Sequence, residues 1–115
     1  MKKFRTALII DDDQDLNMLL KAILEESITS VVCAATLQSV KELAAQLSPD
    51  IIFLDNNLPD GLGWEQTEYI VQHFPKTRIN LISAYQYDHS ITDRLSSVRI
   101  WEKPISLTDL NKYLN

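Results

Sequence analysis

The sequence predicts an α/β domain built on an open, doubly wound parallel sheet, and three observations carry that prediction. Short apolar runs alternate along the chain with segments of helical period, the pattern of repeated βα units whose sheet is covered by helices on both faces. Four of those runs lead directly into ionic or hydroxyl side chains. Leu8-Ile9-Ile10 is followed by Asp11, Asp12 and Asp13, Ile51 to Leu54 by Asp55, Ile79 to Ile82 by Ser83, and Ile100-Trp101-Glu102 by Lys103. In a parallel sheet these four ends share one edge, the edge at which open α/β sheets bind ligands. The chain also has 115 residues, enough for one cored domain and far short of the roughly 250 that a closed barrel needs.

Taken in order, the first strand runs into Asp11. Leu16, Leu19, Leu20, Ile23 and Leu24 then recur at i, i+3 and i+4, so residues 14–26 form an amphipathic helix. Val31 to Ala35 reads as the second strand. Leu37, Val40, Leu43, Ala44 and Leu47 mark the second helix, with Thr36 as its N-cap. After the third strand, 51–54, the Pro and Gly of Leu58 to Gly63 make a loop. A third helix carries Trp64, Thr67, Ile70, Val71 and Phe74 and stops at Pro75, which cannot continue it. The fourth strand is 78–82. Between 85 and 97 only Ile91 and Leu95 suggest a helix, the weakest element of the chain. The fifth strand, 98–102, is followed by Pro104 and by a last helix starting at Ser106, with Asp109 three residues on, close to a capping box. This is (βα)5 in a single domain, 1–115, with no internal repeat and no linker.

Composition narrows the function. An apolar content of 45% with two Gly and four Pro is that of a globular chain. A net charge of −5 and no basic stripe argue against nucleic acid as a direct partner. The lone Cys33, among apolar neighbours, reads as a small buried hydrophobe in a reducing compartment. Lys2, Lys3 and Arg5 before Ala7 to Ile10 imitate a signal peptide, but the apolar stretch is too short and stops at three aspartates. No run approaches membrane-spanning length. The expectation is a cytoplasmic protein.

With the flavodoxin-like strand order 2-1-3-4-5, strands one and three are neighbours, and Asp11 to Asp13 face Asp55. Helix capping accounts for one aspartate, Asp13 or Asp15, which gains about 0.3–1 kcal/mol from the helix dipole. The other carboxylates repel and raise one another's pKa. A divalent cation removes that conflict, and a small oxygen-only site favours Mg2+. His73 and His89 lack ligand partners at useful spacing and read as surface residues. Singly, Asp55 is a turn residue before Asn56 and Asn57, Ser83 a cap and Lys103 a solvated charge. Together they supply a carboxylate nucleophile, a metal site, a hydroxyl donor and a fixed cation, the equipment of phosphoryl transfer.

The ordered set Leu8-Ile9-Ile10-Asp11-Asp12, Ile51-Ile52-Phe53-Leu54-Asp55, Asn57-Leu58-Pro59-Asp60-Gly61, Ser83-Ala84 and Lys103-Pro104 resembles the receiver domain of bacterial two-component response regulators, across nearly the whole chain. The resemblance implies that Asp55 is the phosphoacceptor for a donor phosphohistidine. By the same resemblance Asp12 binds Mg2+ directly, Asp11 binds it through water, and Asn57 gives it a backbone carbonyl. Ser83 then bonds a phosphoryl oxygen, small Ala84 leaves the acceptor accessible, and Lys103 pairs with the carboxylates and later with the phosphoryl group. A cis bond precedes Pro104. The implied donor is a histidine kinase or a phosphotransfer protein of a phosphorelay. The implied output is a downstream protein partner or self-association. Such a domain is no enzyme beyond its own phosphorylation and slow dephosphorylation.

Three departures bear on how a signal leaves. Ile100 stands where the family has Tyr or Phe three residues before the lysine. Trp101 is adjacent, but successive strand residues point to opposite faces. Ser96-Ser97 replaces the usual Gly-Ala, and the helix after the fourth strand looks short. Only eleven residues follow Pro104, room for the last helix and not for an effector domain, so the domain either works alone through protein contacts or is a piece of a longer regulator. Two other readings exist. A haloacid-dehalogenase-type phosphatase would use Asp11 and Asp13 as its Asp-x-Asp pair, with Ser83 and Lys103 in support, but it lacks a downstream acidic pair and leaves Asp55 without a role. A non-phosphorylated receiver-like scaffold would keep the fold for binding alone, which an intact acidic pocket argues against.

Overall fold

The computed structural model describes residues 4–83 and 97–114. Its strands are β1 (Thr6–Ile10), β2 (Ser30–Ala34), β3 (Ile51–Asp55), β4 (Arg78–Ser83) and β5 (Val98–Glu102). Helices α1 (Gln14–Leu24), α2 (Gln38–Leu47) and α3 (Thr67–His73) lie between them in the chain, and a C-terminal helix spans Leu107–Leu114. The strands form one parallel sheet in the order β2-β1-β3-β4-β5, the predicted flavodoxin-like arrangement.

The central strands are apolar on both faces because both faces are covered. Ile9, Phe53, Ile82 and Trp101 pack on one side with Leu20 and Leu24 of α1 and Leu110 and Leu114 of the C-terminal helix. Leu8, Ile10, Ile52, Leu54, Ile79 and Leu81 pack on the other with Val40 of α2 and Ile70 of α3. Each such side chain contributes about 1.5–3 kcal/mol by leaving water. Register then sets the functional edge. Ile10 pairs with Leu54, Asp55 with Ile82 and Ser83 with Glu102. Asp11, Asp55, Ser83 and Lys103 therefore end their strands side by side.

Several local expectations are corrected. Thr36 does not cap α2: the cap position is Leu37, which has no side-chain cap bond, and Thr36 offers only its carbonyl, to Ser39 Oγ at 2.7 Å. The carboxylate of Asp60 takes the role instead, accepting from the backbone N–H of Leu37 and of Gln38, both at 2.9 Å. Cys33 is exposed rather than buried. It lies on edge strand β2, where it lines an open cleft with Gln14, Asn17, Met18 and Lys21, and partial burial raises its thiol pKa. The loop after β3 forms a small antiparallel ribbon, Asn57–Leu58 with Gly61–Leu62. The third helical segment opens as a 3-10 turn, Gly63–Gln66, before α3.

Other local readings hold. Asp13 caps α1, accepting from Asp15 N and Leu16 N at 3.0 and 3.2 Å. Ser106 Oγ accepts from Asp109 N at 3.2 Å, and the Lys103–Pro104 bond is cis. His73 is exposed. No helix among the described residues is long and apolar enough to cross a membrane. Ala84, the expected helix in 85–97 with Ile91 and Leu95, His89 and Ser96 lie outside the described residues.

Candidate functional site

At the carboxyl edge of the sheet Asp11 and Asp55 are buried, 0% and 4% exposed, while Asp12 is open to solvent. One carboxylate oxygen from each lies within 4.8 Å of the others. The backbone explains the convergence. Asp11 N continues the ladder beyond β1 by donating to Ala34 O at 3.1 Å. Its carbonyl accepts from Asn17 Nδ2 at 2.7 Å, so α1 holds the strand end from the side. Asp55 is the last residue of β3. Lys103 N donates to Ser83 O at 2.7 Å, which extends the β4–β5 pairing by one step and brings the lysine to the same edge. Its Nζ is 3.6 Å from Asp11 Oδ2 and 3.7 Å from Asp55 Oδ1.

The charges do not balance. Burial raises the Asp11 pKa to about 6, with the neighbouring Asp55 and Asp12 charges adding to the rise, while the Asp13 N–H and the Lys103 ammonium oppose it. Burial also raises the Asp55 pKa, with a smaller push from Asp12, against the Asn57 N–H and Lys103. One partly exposed ammonium facing three carboxylates leaves the pocket negative. Asp11 Oδ1 accepts from Asp13 N at 2.9 Å, yet buried Asp11 Oδ2 has no hydrogen-bond donor and faces the Lys103 ammonium at 3.6 Å, a costly state for a carboxylate oxygen. Three convergent carboxylates, one of them with an unsatisfied oxygen, form a donor set that fits a hard divalent cation, Mg2+ above others in so small an oxygen site.

The structure brings Asp11, Asp12, Asp55 and Lys103 together, with Ser83 buried at the adjoining strand end. Asn57 is exposed and donates its backbone N–H to Asp55 Oδ1 at 3.3 Å. Asp13, the second carboxylate of the phosphatase reading, is engaged as the α1 cap. Ile100 is half-buried on the α2–α3 side of the sheet. Trp101 is buried on the opposite side, where its Nε1–H donates to Asn80 Oδ1 at 2.9 Å. It therefore does not substitute for a ring at position 100.

Three residues that sequence reasoning missed hold the Asp55 loop. Asn56 donates its N–H to Ile82 O at 2.9 Å, accepts from Gly63 N on its carbonyl at 2.8 Å, and accepts from Trp64 N on Oδ1 at 3.0 Å. A Cβ on Gly63 would sit 2.4 Å from Asp55 O, so the loop closes behind Asp55 only with glycine there. Asp60 ties the far side of the loop to α2. Gly63 had a visible signal, a glycine leading into a helix, but that is also an ordinary turn signal.

The protein family described as the response regulator receiver domain matches residues 7–115. The chain is 35% identical over 79 residues to the response regulator protein PilR of Pseudomonas aeruginosa, covering 69% of this chain and 18% of that protein. It is 35% identical over 94 residues to protein-glutamate methylesterase/protein-glutamine glutaminase 2 of Carboxydothermus hydrogenoformans, covering 80% of this chain and 26% of that one. It thus spans from under a fifth to about a quarter of the length of these curated relatives. Among solved structures, the signal receiver domain of a DNA binding response regulator from Colwellia psychrerythraea superposes with a TM-score of 0.82 at 19% identity, over 95% of this chain and 94% of that one. A two-component response regulator from Clostridium difficile does so with a TM-score of 0.80 at 30% identity, over 95% and 91%. The match runs from β1 to the final residue on a sheet of the same architecture, and this chain belongs to the response regulator receiver domain family.

Proposed function

We propose that this chain, residues 1–115 as one receiver domain, accepts a phosphoryl group on Asp55 from the phosphohistidine of a histidine kinase or phosphotransfer protein in the cytoplasm. The reading is carried by one observation: the Asp55 carboxylate ends β3 beside the Lys103 ammonium at 3.7 Å and within 4.8 Å of carboxylate oxygens of Asp11 and Asp12. An Asp55 oxygen attacks phosphorus, the P–N bond to the donor imidazole breaks, and the imidazole leaves with the electron pair. Asp11, Asp12, the Asp55 carboxylate and the Asn57 carbonyl would hold Mg2+, which when bound neutralises charge on the transferring phosphoryl oxygens. Lys103 supplies the fixed cation, which turns from the carboxylates to the new phosphoryl group. The Ser83 hydroxyl donates to a phosphoryl oxygen. Hydrolysis of the acyl phosphate resets the domain slowly. Output passes to a downstream protein partner or to self-association.

The test is exposure of wild type and Asp55→Asn to acetyl phosphate with Mg2+, read by intact mass. Wild type gains one phosphoryl group only when Mg2+ is present, and the variant gains none. Label on Asp11 or Asp13 in the variant would point to the phosphatase chemistry. A folded wild type that takes no label under any donor would leave only the scaffold.

A further inference from the structure

At the opposite end of the sheet, cations gather beside β4 and β5. Arg78 opens β4, and Val98 and Arg99 open β5, about 17 Å from the acidic edge at the rise of a five-residue strand. There a cleft of about 410 Å3 is lined by Lys76, Arg78, Arg99, Ser97, Tyr113 and Pro75, with no carboxylate among its described lining. In a chain of net charge −5, three cations and no anion among the described residues around one cavity is a marked segregation.

Both guanidiniums also lie over aromatic rings. The Arg99 guanidinium lies over the Trp101 ring at 4.3 Å and the Tyr113 ring at 5.3 Å. That of Arg78 lies over the Phe4 ring at 5.9 Å. Stacking engages the face of the guanidinium and leaves the N–H fork in its plane available. Among the described residues the ion pairs are those of Lys103, and neither arginine side chain donates a hydrogen bond to a described residue. Guanidinium forks with no acceptor among the described residues are suited to bidentate capture of an oxyanion.

We propose that this cleft binds a small molecule carrying a diphosphate group, through Arg78, Arg99 and Lys76, with the Ser97 and Tyr113 hydroxyls as further donors. Three cations match a diphosphate better than a single carboxylate, which would leave most of the positive charge unopposed. The volume lies within the usual range for small-molecule sites. A nucleoside diphosphate and inorganic pyrophosphate share this chemistry, and the experiment separates them.

Amide chemical shifts of the full chain are followed in Mg2+-free buffer during titration with inorganic pyrophosphate, ADP and AMP. The Trp101 indole N–H serves as a reporter close to the site. Pyrophosphate and ADP are expected to shift residues 76–78, 97–99 and Trp101 saturably, with Kd on the order of 0.1–1 mM and weakening as salt rises. Arg78→Gln removes one exposed fork and should weaken binding roughly tenfold or more. Lys76→Gln, at an exposed position, gives a second variant that does not rely on Arg99, whose guanidinium also packs on two rings. Tighter binding of ADP identifies a nucleotide, equal binding identifies the diphosphate alone, and both support the site. Absence of saturable shifts with either ligand, AMP binding as tightly as ADP, or unchanged affinity in both variants would overturn it.

Discussion

Two kinds of aspartate stand within a few residues of one another in this fold, and they are opposite in every physical respect. Asp60 is exposed and well satisfied: both of its oxygens accept from the α2 N-terminus at 2.9 Å, and those backbone donors lower its pKa. Asp50 is also supplied with backbone donors, one oxygen accepting from Arg5 N and Thr6 N at 2.7 and 3.0 Å. Asp11 and Asp55 are buried, poorly supplied with donors and raised in pKa. A carboxylate with matched N–H donors completes a structure. One buried beside others, with an oxygen left over, costs stability and fits a cation. The comparison separates fold from function more cleanly than the count of acidic residues does.

The largest expected effect falls on the functional side. Asp55→Asn should abolish phosphorylation, read by intact mass, while leaving the fold unchanged by circular dichroism, because the swap is near-isosteric and relieves repulsion. Gly63→Ala should come next. Its new Cβ would meet Asp55 O at 2.4 Å, an overpacking that costs about 1–3 kcal/mol and displaces the acceptor. Urea melts should show the loss, and Mg2+ affinity and phosphorylation rate should fall with it. Full activity in Gly63→Ala would mean the loop does not rely on that close approach.

Asp11 should show the opposite sign in stability. Its folded pKa, about 6 against the ordinary 3.8, means that the folded chain holds its proton more tightly than the unfolded one. Metal-free protein is therefore favoured below the unfolded pKa and loses that advantage as pH rises through about 6. Asp11→Asn should gain on the order of 2 kcal/mol at neutral pH without Mg2+ and lose most of that advantage when Mg2+ is added. Thermal melts across pH 5 to roughly 8, with and without the ion, measure both arms. A melt that is flat with pH in wild type would remove the unbalanced-charge account of the pocket.

What the sequence made legible follows the same division. The parallel sheet and its polar edge were readable because strand and helix alternate and apolar runs stop abruptly at Asp11, Asp55, Ser83 and Lys103, whereas the strand order came from the flavodoxin-like fold. The misreadings were all non-local. Thr36 satisfies the local rule for a cap, yet Asp60, 23 residues beyond Leu37, reaches the N–H groups of Leu37 and Gln38 after the loop folds back. The exposure of Cys33 depends on β2 being an edge strand that α1 covers incompletely. The need for glycine at 63 comes from the path of the backbone behind Asp55, which no spacing rule encodes. Likewise, Ile100 and Trp101 were separable in advance only because strand alternation is strict.

The smallest effect belongs to Asp60, and it sharpens the contrast. Its lowered pKa means that its contribution to stability is present above the unfolded carboxylate pKa and is lost as pH falls through the lower folded value, the reverse of Asp11. Asp60→Ala removes the acceptor for two helix N–H groups and should lower Tm by several degrees, in line with the loss of an N-cap. Asp60→Asn keeps an acceptor and should recover much of the difference. Since Asp60 and Gly61 close the ribbon that begins at Asn57, the Ala variant should also slow phosphorylation modestly while leaving Asp55 the sole acceptor. Val40→Ala, which weakens α2 at a buried position remote from the loop, is the control. Equal slowing in Val40→Ala and Asp60→Ala at matched Tm would reduce Asp60 to a helix cap, whereas slowing confined to Asp60→Ala would make it the strut that links α2 to the acceptor loop.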